Sequence, residues 1–177
     1  MDYYGLSIIV CILLLAGLSF HIRNDLLGFL WILLCFKKTN NYETDISQLN
    51  EPWKVQAYMN YYFKYIRDEI PEDEWKTPKK TWDDGYGDCE DHALFSNECL
   101  KYDYDTYIFC VYTKNTGHAT CLIKIKNKWI TIGTYGYKEY NHKSYDKLAM
   151  EFFDDWIVYT IYDKNMNHVE TIVGGVI

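Results

Sequence analysis

In the stretch TPKKTWDDGYGDCEDHALF, residues 77–95, one cysteine, Cys89, follows two glycines and stands among carboxylates. A thiol attacks as the thiolate, a form that neighbouring acids disfavour. The pattern Gly85-x-Gly87-Asp88-Cys89 nonetheless sets flexible turn residues directly before a helical pattern, so the sulfur is expected at a helix N-terminus. There the macrodipole and the free backbone N–H groups favour a thiolate, which predicts a lowered thiol pKa. Asp88, Glu90 and Asp91 are residues that a helix start favours for its own sake.

A thiolate nucleophile needs a partner that accepts its proton and later protonates a leaving amine, and an imidazole suits both tasks. His118 opens an apolar strand pattern just after Gly117, where a short fold-back would bring it to the helix start. His92, three residues beyond Cys89, is the local rival, while His142 and His168 lie in polar or terminal contexts. Cys89, Asp91, His92 and His118 are also chemically suited to a metal, but their spacing is not that of zinc, and Cys89 and Asp91 diverge at a helix start. No metal and no cofactor are therefore expected.

The elements that must position this pair follow an α-then-β order. EPWKVQAYMNYYFKYIRDEIP, from Glu51, has Pro52 in a first turn and Tyr58, Tyr61, Tyr62, Tyr65 and Ile66 at helical spacing, with Pro71 as a stop, which predicts one core-facing helix. A loop through Pro78 and DDGYGD leads to a second helix over about residues 89 to 101. TYIFCVY, HATCLIKIK and KWITIG then read as strands, SYDKLAMEFFDDW as a helix and WIVYTIYD as a strand. HVETIVGGVI reads as a final strand or a tail.

A chain of 177 residues with 49% apolar residues and 18% aromatics supports one substantial core. A net charge of −7, with Lys and Arg scattered among acids, excludes a nucleic-acid surface. The first forty residues differ from the rest. YYGLSIIVCILLLAGLSF, Tyr3 to Phe20, is long enough to cross a hydrocarbon core, and no basic segment or cleavage site marks it as a signal peptide. LLGFLWILLCF is too short alone and reads as an interfacial helix, a hairpin arm or part of one tilted span. The expected division is a membrane anchor at 1–40, with residues 3–36 touching lipid, and a soluble domain at 41–177. Arg23, Lys37 and Lys38 follow the first run, which places that domain in the cytoplasm. Cys11 and Cys35 fall in the apolar runs, and Cys99, Cys110 and Cys121 lack a disulfide or metal spacing, so the thiols read as reduced.

WKTPKKTWDDGYGDCEDHALF, followed by GHATCLIKI and the Trp-led strand KWITIG, resembles the transglutaminase-like cysteine peptidases, in particular a bacterial group with a Gly-Asp-Cys-Glu-Asp core. The resemblance covers about residues 53 to 136. It implies an α+β, papain-like or transglutaminase-like domain with the nucleophile at a helix N-terminus packed on an antiparallel sheet, here behind an N-terminal membrane helix. By matching positions, Cys89 is the nucleophile and His118 the general base. The resemblance further implies an acidic residue four positions after the strand tryptophan, where Trp129 leads to Gly133. Loss of such an orienting carboxylate costs about 10⁴ in rate in related chemistry. A turn at Asn127-Lys128 would pair Leu122 with Gly133 and His118 with Tyr137, leaving Thr131, Tyr135, Tyr137 or the more distant Asp146 to orient the ring.

Two functions follow. The first is a thiol enzyme that hydrolyses a peptide or isopeptide amide in preference to transferring it to an amine, with the Cys89 N–H and an upstream tryptophan such as Trp53 at the oxyanion. The second is a degenerate domain that binds a peptide or partner at a membrane.

Overall fold

The computed structural model describes residues 20–68, 74–126, 128–141 and 144–174, with side chains from Leu26 onward. Most of the first apolar run, Cys11, Pro71, His142 and the last three residues lie outside them. Helix α1 (Phe20–Leu34) carries the second apolar run. It crosses α3 (Pro52–Tyr62) at Gly28, where an added Cβ would stand 2.7 Å from the Ala57 Cβ, so only glycine permits that approach. Ile32 and Phe36 enter the core, whereas Leu26, Leu27, Phe29, Leu33 and Leu34 are exposed. Among the described residues no helix is long and apolar enough to cross a membrane.

Helix α2 (Tyr42–Gln48) starts at Asn41, whose side chain accepts the Thr44 N–H. Helix α3 has Pro52 in its first turn and buries Val55, Tyr58 and Met59. It stops at Tyr62, short of the expected end. Phe63 adopts an extended conformation and turns its ring into the core, and Lys64–Tyr65 (β1) pairs in parallel with Tyr86–Gly87 (β2). Tyr65 and Ile66, which share the helical spacing, are consequently exposed. Pairing with a distant segment here overrides local periodicity.

The expected loop after Pro78 is mostly a short helix, α4 (Pro78–Asp84), with Thr77 capping its start and Gly85 in the left-handed region (φ 70) ending it. Helix α5 (Cys89–Leu100) begins four residues after Gly85 with a reciprocal cap: Asp88 accepts the Asp91 N–H and Asp91 accepts the Asp88 N–H. Gly87 is required there, since a Cβ would stand 2.5 Å from the Asp91 Cβ.

The second half is a six-stranded antiparallel sheet of order β6-β5-β4-β3-β7-β8. Its strands are β3 (Asp105–Tyr112), β4 (Gly117–Ile125), β5 (Lys128–Ile132), β6 (Lys138–Tyr140), β7 (Val158–Asp163) and β8 (His168–Val173), with α6 (Tyr145–Phe152) between β6 and β7. Side chains alternate between two layers. On one face Cys121, Ile123, Ile130 and Ile132 meet Phe95, Cys99 and Leu100 of α5, and Ala119 joins Ala93. On the other, Phe109, Val111, Leu122 and Trp129 meet Leu148 and Ala149 of α6. The chain is thus α+β with helices on an antiparallel sheet.

Candidate active site

Cys89 is the first helical residue of α5, where the backbone N–H groups have no intrahelical acceptor. Its sulfur packs beside Ala93, Ile108, Cys110 and Ala119, and the Ala119 N–H hydrogen-bonds to it. The thiol itself donates to Glu90 Oε2 at 3.0 Å. Burial first, then this bond to Glu90, push the thiol pKa well above its ordinary value. The lowered pKa expected from the helix dipole is therefore corrected: desolvation and an adjacent carboxylate outweigh a partial charge. Asp88 caps the helix as expected, but Asp91 does more. It is fully buried, accepts the Lys76 N–H at 2.8 Å and stands 3.6 Å from the Lys76 ammonium, fastening the preceding loop to α5.

His118 is the second residue of β4 and is buried. Because β4 alternates, its ring lies on the face opposite to Ala119. It stacks on Tyr135 with centroids 4.1 Å apart and planes at 16°, and meets Phe152 of α6 at 5.1 Å. Nε2 is buried without a hydrogen-bond partner. Burial, followed by the Lys138 charge, lowers its pKa to about 4, so the ring is neutral at pH 7.

The β4–β5 register is two residues shorter than expected, with Leu122 opposite Thr131 and Ile125 opposite Lys128. Lys126, at φ 54, makes the tight turn that permits this. The pairing ends at Cys121 opposite Ile132, and Tyr135, in the turn that follows, meets His118 in place of Tyr137. Thr131 sits beside Leu122, the Tyr137 hydroxyl donates to Glu139, and Asp146 accepts the Tyr159 hydroxyl, which leaves Tyr135 alone among these candidates against the ring.

Gly133 is buried and held by a residue the sequence did not reveal. Its N–H donates to Gln56 Oε1 (3.2 Å), and Gln56 Nε2 donates to its carbonyl (3.1 Å) and to Asn60 Oδ1 (2.8 Å). The Gln56 amide is thus fully committed to the scaffold.

Cys89, His118, His92, Trp75, Gly133 and Tyr135 all line one cleft of about 770 Å³. Trp53 does not. It meets Trp31 edge-on at 5.7 Å and lines a separate, smaller cavity under α1, so Trp75 is the tryptophan of the cleft. His92 also faces the cleft, but packs against Phe63 with Nε2 unpartnered and its pKa lowered to about 4 by burial and by Lys76. Among the described residues no group of three or more His, Cys, Asp or Glu side chains is disposed to hold a metal.

Cys89 thus stands at a helix start with Ala119 of β4 against its sulfur and His118 lining the same cleft. A family model described as a transglutaminase-like domain matches residues 31–167. The chain belongs to that family. Among solved structures, this transglutaminase-like domain is similar to Legionella pneumophila LapG in its calcium-bound form, at 17% identity and a TM-score of 0.47, over 90% of this chain and 80% of that one. The EGTA-treated form of LapG gives 18% identity and a TM-score of 0.46, over 92% and 83% of the two chains. No curated protein matches the chain.

Proposed function

We propose that this transglutaminase-like domain is a thiol hydrolase acting on a peptide or isopeptide amide. The observation that supports this reading is the single open cleft lined by both the Cys89 thiol and the neutral His118 ring. Attack begins from a protonated thiol and a neutral imidazole. The thiol proton passes to His118 as the C–S bond forms, and the carbonyl oxygen takes up the electron pair beside the Cys89 N–H. Collapse breaks the C–N bond, and the amine leaves with the proton from His118. Water, deprotonated by the same ring, then cleaves the thioester and restores the thiol.

The bond from the thiol to Glu90 must break before attack, so substrate entry is part of activation. Gly133 favours the second reading, a domain that keeps the fold and binds peptides without turnover. Incubating the full chain with a proteome-derived peptide mixture and reading new termini by mass spectrometry separates the two. Cleavage that disappears in both Cys89→Ala and His118→Ala is expected. Retention of peptides without cleavage would leave only the binding reading.

The same proposal includes tethering to a membrane through residues 3–36, with the domain in the cytoplasm. The apolar run ahead of α1 and the uncharged outward face of Leu26, Leu27, Phe29, Leu33 and Leu34 support it. Full-length chain that stays soluble without detergent and does not float with vesicles would refute this part.

A further inference from the structure

We infer that Tyr135 is the positioning residue of His118, holding the imidazole plane by ring stacking where no hydrogen bond holds it. This rests on the reading of His118 as the base. A ring that must accept a proton from one fixed direction needs its plane and its rotation about Cβ restricted. In proteins that restriction usually comes from a hydrogen bond to the second ring nitrogen. Here that nitrogen, Nε2, has no partner.

The stacking geometry supplies the restriction instead. Tyr135 lies nearly parallel to the imidazole at 16°, and Phe152 stands against both rings, at 5.1 Å from His118 and 6.0 Å from Tyr135. The groups around the ring are Tyr135 and Lys138 from the segment after β5, Phe152 from α6, and Cys89 and Glu90 across the cleft on α5. Lys138 also stands 5.9 Å over the Tyr135 ring.

The turn after β5 explains how the tyrosine gets there. The β4–β5 pairing ends at Cys121 and Ile132, and the turn that follows, in which the Gly136 N–H donates to the Gly133 carbonyl at 3.0 Å, carries Tyr135 onto the imidazole. Tyr135 is 53% exposed, which a residue placed for core packing would not be. Its open side is the cleft, so the stack also forms part of the wall a substrate meets.

The test uses the full chain with Tyr135→Phe and Tyr135→Leu, reading the His118 ring by NMR titration and iodoacetamide alkylation at Cys89 by peptide mapping. Tyr135→Phe keeps the stacking face and is expected to match the parent in both readouts. Tyr135→Leu is expected to slow His118-dependent alkylation by about fivefold, the size of an aromatic pair. It should also raise the His118 pKa from about 4 toward its solvent value as the ring swings free. A lost structural contact alone would not move that pKa while the unfolding midpoint stays put. The inference is overturned if Tyr135→Leu leaves the His118 titration unchanged, or if Tyr135→Phe behaves like Tyr135→Leu. If alkylation is indifferent to His118→Ala in the parent, the catalytic reading fails, while the titration still decides whether Tyr135 holds the ring.

Discussion

Glu90 Oε2 accepts the Cys89 thiol hydrogen at 3.0 Å, so the thiol is bonded to its own chain neighbour, in a cleft that His118 also lines. A carboxylate that accepts from a thiol stabilises the protonated form, and its charge opposes ionisation. Glu90→Gln should therefore lower the thiol pKa and accelerate alkylation of Cys89 at pH 8 by roughly tenfold, the worth of a charge-assisted hydrogen bond. Peptide mapping is needed to read it, since Cys35 is exposed as well. An unchanged rate profile would show that burial alone holds the thiol.

Gly133 offers a direct route to a charged partner for His118. A Cβ there meets Thr120 Oγ1 at 3.4 Å, so a small side chain needs Thr120 to give only slightly. Because Gln56 binds the Gly133 backbone, that clamp survives the substitution. Gly133→Asp should raise the His118 pKa from about 4 toward neutrality and increase turnover if hydrolysis occurs. NMR titration of His118 is the readout, and a pKa that stays low means the carboxylate does not reach the ring.

Gln56→Ala tests the clamp. It strands the Gly133 N–H and carbonyl in the interior, at a cost of about 1–3 kcal/mol for a buried polar group left unpaired. Chemical denaturation should show the loss, with Gln56→Glu recovering part of it because the Gly133 N–H keeps an acceptor. Equal stability of Gln56→Ala and the parent would mean that water replaces the amide.

The chain should lose stability on mild acidification. His92 and His118 both have folded pKa values lowered to about 4, below the unfolded value of about 6.5. Between those limits the unfolded state binds the protons and the folded state does not, so stability is full above about pH 6.5 and falls as pH drops toward 4. The loss is roughly 3 kcal/mol per histidine at most. Asp88 and Asp91, whose pKa values burial raises, pull the other way, since their contribution is present at low pH and lost as pH rises through their folded values. Thermal melts from pH 7.5 to 4.5 check the sum. His92→Phe should flatten the slope, and an unaltered slope would assign it to other groups.

The sequence made β3, β4, β5, β7 and α5 legible because their signals are local: β-branched runs, and an acidic cap after two glycines. That Cys89 and His118 line one cleft follows from the same local signals, since both residues lie at the starts of their elements. What escaped depended on contacts far apart in the chain. The end of α3 is set by pairing Lys64–Tyr65 with Tyr86–Gly87, which no window around Tyr65 contains. Gln56 looks like any polar residue of an amphipathic helix until β5 arrives beside it, 77 positions later. The thiol pKa was misjudged because a helix start is visible in sequence, whereas the depth at which it is buried is not. Trp53 was misplaced for want of α1, whose Trp31 it meets edge-on.

His118 and Ala119 are consecutive yet serve opposite sides of β4, one facing the aromatic wall and the other touching the sulfur. The dipeptide therefore acts as a hinge pin through the sheet, joining two layers that otherwise share no chemistry. Its parity makes the site intolerant of a one-residue insertion or deletion between Gly117 and Leu122. Such a change would exchange the layers that the imidazole and the methyl group face, taking the ring from Tyr135 and Phe152 and the methyl group from the Cys89 sulfur, while leaving every apolar count in the strand nearly the same.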